Sequence, residues 1–268
     1  MRIACQLPTR MPRSGVNSAY YDLLEKNYNL VKNSDTEVIV RDTPTGFSGG
    51  GMDWTGLRLI NEVEILKSVL AAEKEGFDGI SIACFFDPAL GPARQLLNIP
   101  VTGLAESAMH LACLMGGKFA IIVAEILHVP AMEEEIAKYH MESQAIRRKP
   151  VRALPVSDKG YDPEKIPNYF SGDYSPIVES LYPLARGCIE DGADVLIVGC
   201  GLISPILTQA GITDIDNAAI IDPLLASLKL TEALIALHQG NLPYISRKSF
   251  YSAVPSKDIE EALTSLGR

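Results

Sequence analysis

The sequence predicts an α/β chain with parallel sheets, built from two related halves. Two observations lead there. Short apolar runs alternate with stretches of helical periodicity along most of the 268 residues, the pattern of strand–helix–strand units. The stretch GFDGISIACFF, Gly76 to Phe86, also returns as GADVLIVGCGL, Gly192 to Leu202. Each copy has a Gly-x-Asp turn, an apolar run and a cysteine eight positions after the glycine. Cys84 and Cys200 lie 116 positions apart, as do Gly76 and Gly192, so the register holds through both runs.

The elements follow in order. RIACQL, residues 2–7, reads as a buried strand ended by Pro8; a helix spans Ser18 to Lys32, and TEVIVRD alternates as a second strand. The loop TPTGFSGGGMD carries Gly49, Gly50 and Gly51, but the Gly-Lys-Ser/Thr of a phosphate-binding loop does not follow, which leaves a connector or lid. From Asp53 or Thr55 a helix runs to Gly76, with Leu59, Ile60, Val63, Leu66, Val69 and Leu70 recurring at three- and four-residue steps. DGISIAC is apolar on both faces, as a parallel-sheet strand is. DPALGPARQLLN is a helix with Asp87 as the cap before Pro88, IPVTG a strand, and Glu106 to Met115 a helix. KFAIIVA is a strand, and a helix starts at Pro130 and runs through PAMEEEIAKYHMESQAI, with Glu133 to Glu135 as its solvated first turn. Residues 149–175, with four prolines, read as an insertion or lid. A helix over Pro176 to Asp191, the strand DVLIVGC, a helix near Ile203 to Ala210, AAIID and a last long helix from Pro223 to Gln239 complete the chain.

Composition excludes several classes. With 47% hydrophobic and 21% charged residues the chain should fold as a globular protein. A net charge of -9 with no basic run longer than Arg147 to Lys149 argues against nucleic-acid binding. MRIACQLP lacks the features of a signal peptide, and no stretch approaches the roughly eighteen apolar residues of a membrane span, so a cytoplasmic protein is expected. Cys5, Cys84, Cys113, Cys188 and Cys200 show neither C-x-x-C nor metal-ligand spacing, so free thiols and no metal are expected. Cys5, Cys113 and Cys188 read as packing residues.

Cys84 and Cys200 differ from these because each ends a repeated strand, and ligand sites in parallel sheets form beyond the strands' carboxyl ends. If the two halves meet with those ends facing, one thiol stands on each side of a shared cleft. A substrate carbon between them can lose a proton to a thiolate on one face and regain one from a thiol on the other, which inverts a stereocentre without a cofactor. The thiol's ordinary pKa of about 8.5 can be lowered by backbone N–H groups at a helix start, giving one thiolate and one thiol near neutrality. The amides at Phe85, Phe86, Gly201 and Leu202 are candidates to stabilise the enolate, and Gly201 allows close backbone approach.

These residues resemble a known family. GISIACFFDPALGPARQLLNIPVTGLAESAMHLA together with GADVLIVGCG is similar to the aspartate/glutamate/hydantoin racemase superfamily, and within it to the hydantoin racemase branch, over about residues 76–126 and 185–234. The resemblance implies two pseudo-symmetric Rossmann-like α/β domains with the active site in the cleft between them. It also implies cofactor-independent racemisation, with Cys84 and Cys200 as the catalytic pair. The expected division is 1–106 plus 223–268 for one domain and 107–222 for the other.

In the amino-acid racemase branch the cysteines are followed by Asn-Thr or Thr-Glu; here Phe85-Phe86 and Gly201-Leu202 follow, which disfavours aspartate or glutamate as substrate. The hydantoin branch opens with a Pro-Asn-Thr turn where this chain has LPTR, leaving Pro8 and Thr9 as substrate contacts. It carries a Thr pair where this chain has Val123, Ala124 and Glu125. The expected partners are thus a small-molecule substrate, such as a hydantoin or amino-acid derivative, and further copies of the chain in a homo-oligomer, with no nucleic acid and no membrane. Two other readings stay open: a cis–trans isomerase of a short unsaturated diacid, and a two-lobed binding protein with incidental cysteines. A cysteine hydrolase would need a histidine beside a thiol, and no motif places His110, His128, His140 or His238 there. Glu106 reads as a helix N-terminal carboxylate. Arg10 and the 149–175 segment are further candidates for recognising a polar substrate.

Overall fold

The computed structural model describes residues 1–48, 52–157 and 162–265; the glycines at 49–51 lie outside the described residues. Two sheets form the frame. In the first, β1 (Arg2–Gln6), β2 (Glu37–Arg41), β3 (Gly79–Ile82) and β4 (Val101–Gly103) take the order β2-β1-β3-β4, all parallel. In the second, β5 (Phe119–Val123), β6 (Val151–Ala153), β7 (Val195–Val198), β8 (Asp214–Ile215) and β9 (Ala218–Ile221) take the order β6-β5-β7-β9-β8, parallel except for the short hairpin of β8 with β9. Leaving β8 aside, the two orders are the same, with β1, β2, β3 and β4 answering to β5, β6, β7 and β9. This is the two-domain Rossmann-like α/β architecture that the repeat predicts.

The helices connect the strands in the same rhythm: α1 (Val16–Val31) and α2 (Thr55–Lys74) flank β2, and α3 (Leu90–Leu96) precedes β4. After β4 come α4 (Leu104–Met115) and, past β5, α5 (Val129–Lys138). The four-residue α6 (Ile166–Tyr169) and α7 (Ser175–Glu190) precede β7. Beyond it are α8 (Ser204–Gln209), α9 (Pro223–Gln239) and α10 (Ser256–Ser265). Among the described residues no helix is long and apolar enough to cross a membrane.

The halves exchange helices. α4 follows the last strand of the first sheet but packs on β5, β7 and β9 of the second; α9 follows β9 but packs on β3 and β4 of the first; and the two helices pack on each other. The α9 contact is sealed by a buried hydroxyl network. The Ser227 Oγ lies 2.8 Å from both Ser81 Oγ and Thr102 Oγ1, and Thr231 Oγ1 lies 2.6 Å from Thr102 Oγ1. Four buried hydroxyls satisfy one another here, which removes the cost of burying each alone. Gly79 permits this closeness, since a Cβ there would stand 2.8 Å from Ile235 Cδ1 and 3.0 Å from Thr231 Cγ2.

Several elements depart from expectation. The buried face of α2 is Asn61, Ile65, Ser68, Val69, Leu70 and Ala72, whereas Leu59 and Ile60 are exposed. The polar members fit because they are bonded: Asn61 Oδ1 accepts from the Phe47 N–H at 2.9 Å, and Ser68 Oγ donates to Gln6 Oε1 at 2.7 Å. α5 ends at Lys138, short of Ile146; His140 takes a left-handed φ of 57°, and Ala145 forms a bridge to Phe119. The segment expected as an insertion or lid at 149–175 begins as β6, the counterpart of β2, so its start belongs to the sheet. α10 has no counterpart in the sequence reading. Cys5 and Cys188 are buried as expected, but Cys113 is exposed.

Replacing Gly79 with alanine should push α9 off the first sheet. The expected outcome is a loss of about 1–3 kcal/mol, the usual range for overpacking a tight contact, read as an earlier midpoint in urea unfolding.

Candidate active site

The two cysteine loops are built alike. After β3 the Ala83 N–H donates to the Gln6 carbonyl at 2.8 Å and the Cys84 N–H to that of Ile82 at 3.0 Å. After β7 the Gly199 N–H donates to Ile122 at 2.7 Å and the Cys200 N–H to Val198 at 2.8 Å. Three residues beyond each cysteine an N–H returns to its carbonyl, from Asp87 to Cys84 at 3.0 Å and from Ile203 to Cys200 at 3.2 Å. The strands end at the same point and the chain turns the same way, so each sheet delivers its thiol at an equivalent position.

Glycine lets the loops meet. A Cβ on Gly199 would lie 2.7 Å from Ile121 Cγ2 and 3.2 Å from the Phe85 ring, and one on Gly201 would lie 3.2 Å from the Ala83 carbonyl oxygen. Tyr20, buried on α1, donates its hydroxyl to the Gly201 carbonyl at 2.9 Å, which ties the first half to the second cysteine loop.

Between the loops lies a cavity of about 130 Å³. Cys84 and Cys200 both line it, as do Pro8, Thr9, Phe85, Phe86, Gly201 and Leu202. Val123 and Ala124, expected beside them, are not in the described lining; both are buried in the apolar cores at the end of β5. Arg10 is exposed and lies outside the lining.

The cavity also holds residues for which the sequence shows no motif. Tyr20, Met52 and Asp53 line it, and so does His128, the last residue of the 3₁₀ turn Ile126–His128. His128 Nε2 lies 2.9 Å from Asp53 Oδ1. Asp53 therefore pairs with His128 and does not cap α2, whose cap position is Trp54. Phe86 sits between two groups: Arg58 stacks over its ring with the guanidinium carbon 4.0 Å from the centroid, and His128 meets it edge-on at 5.3 Å.

Both thiols are held high. Burial pushes Cys84 up to about 12; the Phe86 N–H pulls it down, Asp87 and Cys200 raise it, and Arg58 lowers it. Burial also raises Cys200, with the N–H groups of Leu202 and Ile203 opposing and Asp53 and Glu125 adding to the rise. The N–H groups of Phe86 and Leu202 oppose the rise and burial outweighs them, so both sulfurs are biased toward the thiol form.

Residues near the loop have structural duties. Asp87 caps α4 and not α3: its buried carboxylate accepts the Ala105 N–H at 3.0 Å, the Glu106 N–H at 2.8 Å and the Tyr139 hydroxyl at 2.7 Å. Burial raises it to about 6 against those three donors. Glu106 pairs with Arg94 away from the cleft, and Glu133 and Glu134 are solvated while Glu135 is half-buried.

By family and by its relatives, the chain is an isomerase of the racemase class. The family described as Asp/Glu/hydantoin racemase matches residues 17–231, and the chain belongs to it. It is 28% identical over 211 residues to a hydantoin racemase of Rhizobium meliloti, covering 77% of this chain and 79% of that one. Among solved structures, an allantoin racemase from Klebsiella pneumoniae superposes with a TM-score of 0.75 at 23% identity, covering 95% and 94% of the two chains. One from Pseudomonas fluorescens gives 0.72 at 19%, covering 95% and 97%; both show the shared fold.

The thiol shifts fix a sign for stability against pH. Cys5, buried against Tyr28, is also pushed up to about 12, so Cys5 and Cys84 stay protonated in the folded state while the unfolded chain ionises from about pH 9. Below pH 9 their contribution is fully present; between 9 and 12 the unfolded state binds fewer protons and stability falls, by about 1.4 kcal/mol per pH unit for each thiol. Urea unfolding across pH 8–10 should show this decline, with a shallower slope in Cys84→Ala. An unchanged slope in that variant would contradict the assignment.

Proposed function

We propose that the chain racemises a small, uncharged carbon acid of the hydantoin type without a cofactor, with Cys84 and Cys200 as the two acid/base groups. One observation carries the reading: matched loops, one from each sheet, bring two thiols to a single cavity. A thiolate on one side removes the proton from the stereogenic carbon, and the thiol on the other returns one to the opposite face. Exchanging these roles runs the reaction the other way.

The lining supports an uncharged substrate. None of its described residues is lysine or arginine, so a substrate carboxylate would enter without a cation to meet it, whereas Leu7, Met11, Met52 and Leu202 suit an apolar substituent. A volume of about 130 Å³ is below the roughly 300–1,000 Å³ of ordinary ligand sites, which favours a compact ring. The relatives named for hydantoin and allantoin act on cyclic ureides of this kind. Burial makes thiolates scarce here but strongly basic, as a weak carbon acid requires.

Cys84→Ala and Cys200→Ala should each lower racemisation of a 5-substituted hydantoin by about 10²- to 10⁴-fold, the usual contribution of a positioned proton-transfer group. In deuterated water, proton exchange should persist for one enantiomer in the first variant and for the other in the second. Racemisation at the wild-type rate in both variants would rule the reading out.

A further inference from the structure

A closed ring of contacts runs from the lining residues Met52, Asp53, Phe86 and His128 out to Arg58 behind them, and the two-thiol mechanism does not use it. The Arg58 Nε donates to the Met52 carbonyl at 3.2 Å; Arg58 stacks on Phe86; the Phe86 ring meets the edge of His128; and His128 Nε2 bonds Asp53, the residue after Met52. Both groups that grip Phe86 are thus anchored to the same short stretch, from α2 on one side and from the turn after β5 on the other. The gripped residue is two positions beyond Cys84, and its backbone N–H is the amide that favours the Cys84 thiolate.

We propose that Arg58 and His128, with Asp53 behind His128, are positioning residues that clamp the Phe86 ring and so hold its peptide N–H on the Cys84 sulfur. The inference deepens the proposed acid/base role of Cys84. Cys200 has no such frame, since its donors are the amides of Leu202 and Ile203 in a loop without an aromatic pair. The clamp therefore acts on one sulfur of the two. The ionisable groups facing Cys84 are Asp87 in its own loop, Cys200 from the opposite loop, Arg58 from α2 and Tyr20 from α1. Among these Arg58 alone is a cation, so it favours the thiolate by its charge as well as through the ring.

The test reads the sulfurs directly, so it does not depend on the substrate. The full-length protein is alkylated with iodoacetamide between pH 7 and 9, where the rate follows the thiolate fraction, and Cys84 and Cys200 peptides are quantified separately by mass spectrometry. In Arg58→Met the Cys84 rate should fall about tenfold, the effect of one pH unit on thiolate fraction, and in His128→Asn about threefold. Cys200 should stay within about twofold, and Arg58→Lys should regain part of the loss through its charge. Cys200 lines the same cavity, so its alkylation rate is the internal control for access. A Cys84 rate that holds or rises in both variants, or a fall that Cys200 shares, overturns the clamp. If the wild type fails to racemise hydantoins, the functional reading fails by itself and the alkylation ratio still decides the clamp.

Discussion

The approach of the two strand-end loops is the constraint on which the site depends. Gly199 and Gly201 of one loop lie against Phe85 and Ala83 of the other, at distances that leave no room for side chains. A side chain at 199 would strike Ile121 and crowd the Phe85 ring, so glycine there lets the loops approach. This closeness is held from outside the site. Tyr20 reaches from α1 to the Gly201 carbonyl, and Asn27, one turn pair further along, donates to the Pro205 carbonyl at 2.9 Å from a fully buried position. The exchanged helices α4 and α9 do the same at the far side, each anchored on the sheet it does not follow.

Burial sets the chemistry of the pair and makes its members unequal. Cys84 is the more enclosed, flanked by two phenylalanines and supported by one amide; Cys200 is half-buried and supported by two. Both are raised by desolvation, with one backbone N–H opposing the rise at Cys84 and two opposing it at Cys200. The loop of Cys84 is the one where the aromatic and cationic groups gather. A proton-transfer pair does not require equal partners: it requires that each be able to hold the proton that the other has given up.

The sequence showed the fold clearly, because the repeat at Gly76 and Gly192 and the strand–helix alternation are local patterns. It showed the cysteines for the same reason, and Phe85, Phe86, Gly201 and Leu202 came with them as chain neighbours. What it hid depends on long-range contact. His128 and Asp53 are 75 positions apart, and nothing in either neighbourhood marks them as partners. The buried face of α2 is not legible in the sequence, because Asn61 and Ser68 look like solvent residues until Phe47 and Gln6 supply their hydrogen bonds. Asp87 suits the cap of the next helix by position alone, but it reaches instead to α4, where Gly103 makes space for its carboxylate. β6 was disguised by its surroundings, for three residues among prolines carry little periodicity, and only its pairing with β5 identifies it.

The matched strand orders explain why a cleft exists at all. Two copies of the order β2-β1-β3-β4, facing one another, bring the carboxyl ends of β3 and β7 together, and the last helix of each copy is then better buried on the other copy than on its own. Besides the packed pair of α4 and α9, two polar contacts join the halves. The seam of α1 with α8 is buried and polar, with Asn27 bonded to both Pro205 and Gln209. The other, where Asp53 meets His128, keeps side-chain exposures of 27% and 12%. A buried hydrogen-bonded seam is costly to part, whereas a partly solvated pair exchanges its bond for water at little cost. The two contacts therefore differ in what parting them would cost, and the α1–α8 seam is the firmer of the two.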